Sequence, residues 1–202
     1  MDQGGVFVIL FKMVRYHQKK YPSYIPLHLE EVAGHFDVRR VFPTLPYSLH
    51  TEYSYGKRTF QSELIQKYPE IVRANQDGIP QLWKNEVWAE SFAAFLIELT
   101  KNMPAPSVIE IHPPFHDYVG SMREFIEIYQ VFETQIKSRW QETDILIENR
   151  CGSRYRGGRF LISTAPQIKE LCAWIESEHL KLRIAFDIPQ LYTAHQVTPK
   201  RS

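Results

Sequence analysis

The chain has 202 residues, with 24 basic and 23 acidic side chains, 44% hydrophobic residues and 23% charged ones. This is the balance of an ordinary globular protein long enough to bury a sizeable core as one domain, and it gives no global electrostatic case for nucleic acid or a membrane surface. The two cysteines, Cys151 and Cys172, argue against a disulfide framework and fit a cytoplasmic protein.

The apolar run Val6–Val14 holds Lys12 and is too short to span a bilayer, so a core element is expected there. The cluster Arg15–Lys20 reads as a solvated face. Leu27, Leu29, Val32 and Phe36 fall at helical spacing and predict a short amphipathic helix over 27–36. Residues 41–50 carry Pro43 and Pro46, which rule out a helix, and read as an extended segment ending in His50. A polar connection follows, with a helix expected over 59–68. Residues 85–101 predict a strong helix with Trp88, Phe92, Phe95, Leu96 and Leu99 on one face.

From residue 107 onward strands and helices alternate. Strand 107–112 ends in His112, and Ser121 with Glu124 makes a capping box that opens a helix to about Arg139. Strand 144–149 ends in Glu148 and Asn149. Thr164 with Gln167 opens a helix to about His179, with Pro166 in its first turn. Strand 182–187 ends in Asp187, Ile188-Pro189-Gln190 breaks it, and the tail 197–202 is expected to fray. Such alternation predicts an α/β fold with a parallel sheet of about five strands joined by right-handed crossovers.

Four strand ends carry a metal-ligand type: His50, His112, Glu148 and Asp187. Strand period two puts Glu110 on a face with His112, Leu146 and Arg150 with Glu148, and Arg183 and Ala185 with Asp187. The opposite face carries Ile109, Ile111, Ile145, Ile147, Ile184 and Phe186, which should pack under helices, while Glu110 and Arg183 could neutralise each other. Ligands bind at the C-terminal mouth of parallel sheets, and imidazole with carboxylate suits a divalent ion. His116 lies in the next loop, Tyr53 could stack on a base or sugar, and Arg150, Arg154, Arg156 and Arg159 could hold a phosphate.

The segment Ile145–Gly152, the loop and helix start after it, and Leu182–Leu191 together resemble the xylose isomerase-like TIM-barrel superfamily. The likeness is to its endonuclease IV type of apurinic/apyrimidinic endonuclease, AP endonuclease family 2. There a strand ending in Glu-Asn supplies a bridging metal ligand, which falls on Glu148, and the next strand ends in an Asp ligand, which falls on Asp187. Strands ending in His-x-x-Tyr and His-Pro match His50 with Tyr53 and His112 with Pro113. The family's His three residues after the Asp is Gln190 here, and an amide is a poor ligand beside imidazole. The family barrel has eight strands, whereas this chain stops soon after Asp187, so the resemblance implies a partial or open (β/α) TIM-barrel-like fold of about five to six strands, which a homo-oligomer or a further chain segment is expected to complete.

The resemblance implies an enzyme using a divalent metal (Zn, Mn or Mg) held by His50, His112, Glu148 and Asp187, with Glu148, His112 and Asp187 catalytic. Tyr53, His116, Asn149, Arg150 and Gln190 would meet the substrate. It allows isomerisation or epimerisation of a sugar or sugar-phosphate, or hydrolysis at abasic DNA. The near-neutral charge favours the small sugar-like substrate. Gln190 and the missing strands leave a third expectation, a non-catalytic barrel relative acting in binding or assembly.

Overall fold

Each apolar run from Tyr47 onward pairs with the next one along the chain. The computed structural model describes residues 29–32, 46–51, 67–74 and 81–196. Its strands are β1 (Leu29–Val32), β2 (Tyr47–His50), β3 (Val108–Ile111), β4 (Asp144–Glu148) and β5 (Leu182–Ala185). Its helices are α1 (Pro69–Ala74), α2 (Glu86–Leu99), α3 (Met122–Arg139), α4 (Ala165–Ser177) and α5 (Ile188–Gln196). The sheet is parallel throughout, in the order β1-β2-β3-β4-β5. That order follows the chain without reversal, so right-handed crossovers put successive connections on one face. Among the described residues β1 and β5 do not pair, and the sheet is open.

The two faces of the sheet differ as the strand period demands. Ile109, Ile111, Ile145 and Ile147 are completely buried in one core with Trp88, Phe92 and Phe95 of α2 and with Phe125, Tyr129, Phe132 and Ile136 of α3. The alternate residues Glu110, Leu146 and Glu148 are half-buried on the other face. Polar chemistry is therefore confined to the face away from the helices. Phe186 departs from the expected pattern: it is 59% exposed, because β5 ends at Ala185 and is an edge strand among the described residues.

Local signals set the helix starts. Asn85 caps α2 by accepting from Trp88 N at 2.8 Å, and Ser121 caps α3 by accepting from Glu124 N. Gln167 Oε1 accepts from both Ser163 N and Thr164 N ahead of α4.

Three expectations change. Leu29–Val32 is a strand rather than part of a helix, because pairing with β2 outweighs a weak helical spacing. Lys67 and Tyr68 are not helical; α1 begins instead at Pro69, where the missing N–H costs nothing. The strand expected over 182–187 stops at Ala185, and Ile188-Pro189-Gln190, which ends it, opens α5, where Asp187 Oδ1 accepts from Gln190 N at 2.9 Å and caps the turn. The expected core element at 6–14, the basic cluster at 15–20, the greater part of the helix at 59–68, and the tail 197–202 lie outside the described residues.

Trp83 ties the helical layer to the site strand. It is buried, with rings of Trp88, Phe92, Phe125 and Phe132 at 5.2–5.8 Å. Its Nε1 donates to His112 O at 2.7 Å. Its φ of 59° lies in the left-handed region that bulky residues avoid, so packing and this hydrogen bond hold it there. Urea unfolding should show Trp83→Ala destabilised by about 3–5 kcal/mol. Trp83→Phe, which leaves His112 O without this donor, should lose about 1–3 kcal/mol. A cost below about 1 kcal/mol for the alanine variant would remove Trp83 from this role.

Candidate metal centre

Sheet register decides which polar side chains meet. His50 is the register partner of Glu110, and Ile111 is the partner of Ile147. The next residues on β3 and β4, His112 and Glu148, therefore fall side by side. His112 is also two residues past Glu110 and shares its face. Two neighbouring rungs result, His50 with Glu110 and His112 with Glu148. Thr51 fastens the first rung, its N–H and hydroxyl both donating to Glu110 O at 3.0 and 2.7 Å.

The four side chains converge, with one ligand atom from each lying within 4.8 Å of all the others. His112 Nε2 is 3.1 Å from His50 Nε2 and 3.0 Å from Glu148 Oε2, and His50 Nε2 is 3.6 Å from Glu110 Oε1. Four donors held at about 2.0–2.1 Å around a tetrahedral Zn²⁺ are separated by about 3.3 Å, so these three edges have the right size.

A protonated His112 Nε2 has one proton to share between Glu148 and His50 in a three-centre bond; an unprotonated one faces the Glu148 oxygen lone pair to lone pair unless another donor stands between them. No tautomer gives each short contact a proton of its own. A cation among the donors serves both contacts, and two imidazoles with two carboxylates are a donor set that suits a divalent ion.

Arg150 stands beside this cluster. It is 7% exposed; its Nη1 donates to Glu148 Oε2 at 2.7 Å and lies 3.4 Å from His112 Nε2. Its guanidinium sits 5.5 Å from the centre of the Phe160 ring, which stacks on Phe115 at 4.0 Å. That stack joins the loops after β3 and β4 into one wall. Gly158 belongs to the same join: its φ is 89°, and a Cβ there would strike Asp117 Oδ1 at 2.6 Å.

Burial pushes His112 down to about 4 from its ordinary 6.5, with Arg150 and His50 adding to the shift and Glu148 opposing it. Burial also pushes Glu148 up, but His112 and Arg150 outweigh it and hold the carboxyl at about 2. At pH 7 His112 is thus neutral and Glu148 ionised, the forms that ligate a metal. The cation beside Glu148 is then Arg150.

The structure brings together three of the four expected ligands and adds Glu110, which the sequence placed on the right face without naming it as a ligand. Glu110 does not pair with Arg183; Arg183 reaches Asp144 at 3.2 Å on the exposed side. Asp187 lies outside the four-residue group. Glu148 is level with Ala185, and Asp187 is two residues further on, about 6.6 Å along a strand. Its Oδ1 and Oδ2 accept from Gln190 N and Nε2, both at 2.9 Å. Gln190 Nε2 also donates to Glu148 Oε1 at 3.1 Å.

Asn149 is fully buried and clamps the backbone of Asp187, donating to its O and accepting from its N at 3.0 and 2.9 Å. His116 is exposed, its N–H bonded to Arg159 O. His195 Nε2 accepts from Ala165 N at the start of α4. Cys151 and Cys172 are both free thiols. Tyr53 lies outside the described residues.

Comparison with protein-family models, with curated proteins and with solved structures returned no match. Among the described residues no helix is long and apolar enough to cross a membrane.

Both titrations give the metal-free protein a stability that falls on acidification. Folded His112 binds its proton less readily than the unfolded residue, so stability is lost as pH drops from 6.5 to 4. Glu148 extends the loss from 4.5 towards 2. In chelator, His112 alone should cost about 3 kcal/mol by pH 4, read from urea midpoints at pH 7 and 4. His112→Gln should flatten that part of the profile. An unchanged slope in the variant would contradict the assignment.

Proposed function

We propose that the chain is a divalent-metal enzyme of the parallel (β/α)-barrel type, acting on a small hydroxylated, sugar-like substrate. His50, Glu110, His112 and Glu148 hold the ion at the C-terminal mouth of β2, β3 and β4. The observation that carries this reading is the convergence of His50 Nε2 and Glu148 Oε2 on His112 Nε2 at 3.1 and 3.0 Å, in a group of two imidazoles and two carboxylates whose ligand atoms all lie within 4.8 Å of one another. A bound divalent ion supplies Lewis-acid polarisation of a substrate oxygen.

The chain's own residues frame the chemistry. Glu148, held ionised with Oε2 bound by Arg150 and Oε1 by Gln190, serves as a fixed anionic ligand at the mouth. Arg150 fixes the carboxylate at Oε2 and supplies a fixed positive charge beside any anion forming there. With Glu148 already bound to it, Arg150 is less suited to clamp a substrate phosphate, which favours an uncharged hydroxylated substrate over abasic DNA. The family resemblance at Glu148-Asn149 and His112-Pro113 is consistent with isomerisation or epimerisation.

The Arg150 contacts also favour a second reading. A guanidinium 2.7 Å from the ligating oxygen already supplies a cation, as expected for a non-catalytic relative that keeps the barrel and has dispensed with metal.

Elemental analysis after dialysis against Zn²⁺ or Mn²⁺ separates the two. The enzyme reading predicts bound metal in the wild type, lost in Glu148→Ala and His112→Ala and weakened in Glu110→Gln. Arg150→Ala should tighten binding on the order of tenfold, about 1.4 kcal/mol, because a competing cation is removed. Wild-type protein that binds no metal while Arg150→Ala does would establish the second reading. A panel of aldoses, ketoses and their phosphates, run beside abasic oligonucleotide, assigns the substrate; turnover of the oligonucleotide alone would overturn the sugar assignment.

A further inference from the structure

Gln190 sits where two carboxylates meet. Its Nε2 donates to Glu148 Oε1 at 3.1 Å and to Asp187 Oδ2 at 2.9 Å, so each amide hydrogen serves one carboxylate. The orientation of the amide is fixed from its other end, where Oε1 accepts from Cys151 N at 2.9 Å. Turning it over would set an oxygen against two carboxylate oxygens and an NH₂ against an N–H. Asp187 is held as well, since its Oδ1 caps α5 through Gln190 N, and Asn149 pins its backbone.

We propose that Gln190 limits this centre to one metal ion per chain, its amide NH₂ occupying the place between Glu148 and Asp187 that a second ion would take. This inference rests on the metal reading above and extends it to the number of ions. Glu148 faces two ways. Oε2 points at the histidine cluster, and Oε1 points at Asp187 across the Gln190 amide. Two carboxylate oxygens held toward one point are half of a second metal site. The group between them is an NH₂, which donates hydrogen bonds and offers no lone pair to a metal. Glu148 is thereby a one-oxygen ligand to the first ion and cannot bridge.

A single ion polarises one substrate oxygen. It lacks the paired clamp on attacking and leaving oxygens that two ions about 3.5–4 Å apart give to phosphodiester hydrolysis. Gln190 thus removes the two-ion route to phosphodiester hydrolysis.

The test is metal stoichiometry in the full chain, loaded with Zn²⁺ and, for optical readout, with Co²⁺. Wild type should hold one ion. Gln190→His and Gln190→Glu, which place a ligand between the same carboxylates, should each hold two and show about twice the Co²⁺ absorption. The carboxylate variant should also melt at a temperature that rises with Zn²⁺ more than the wild type's does, because three carboxylates repel without an ion. Two ions in the wild type would overturn this inference and leave the metal reading standing. So would one ion in both folded ligand variants. No ion in the wild type would overturn the metal reading, and this inference with it.

Discussion

The contact on which the site depends is the pairing of β3 with β4. Its register, Ile111 level with Ile147, sets His112 beside Glu148, and the β2–β3 register sets His50 beside Glu110. A slip of one residue would turn every one of these side chains to the opposite face. The apolar half of the same strands prevents it. Ile109, Ile111, Ile145 and Ile147 are fully buried under α2 and α3, and moving them to the polar face would expose each at about 1.5–3 kcal/mol. The core therefore holds the chemistry in place: burial on one face enforces convergence on the other.

The convergence has an electrostatic consequence. A neutral His112 and an ionised Glu148 lie at the bottom of the cluster, next to a buried guanidinium. Arg150 compensates the charge of the carboxylate. Trp83, bonded to His112 O, and Gln190, bonded to Glu148 Oε1, hold the two central groups from opposite sides. These residues come from four separate segments of chain: the ends of β3 and β4, the loop before α2 that carries Trp83, and α5 that carries Gln190.

Much of this was legible in the sequence. The alternation of strands and helices from Val108 on, the cap at Ser121, and three of the four clustered side chains follow from periodicity, capping pattern and strand-end position. Glu110 was visible on the face of His112, yet its place in the cluster depends on which residue of β2 it faces, and register is not written in local pattern. Asp187 illustrates the reverse case. It ends an apolar run as Glu148 does, but β5 stops at Ala185, and the acid instead caps α5, whose first turn holds Pro189. β1 was obscured because four residues with mixed spacing carry too little signal to outvote a partner strand.

The measurement that bears most directly on the central claim is X-ray absorption at the zinc edge of the zinc-loaded chain. Two imidazole nitrogens and two carboxylate oxygens at about 2.0–2.2 Å, with imidazole scattering reduced to one ring in His50→Ala and in His112→Ala, is the predicted result. A spectrum of oxygen neighbours without imidazole, or with sulfur from Cys151 or Cys172, would contradict the assignment.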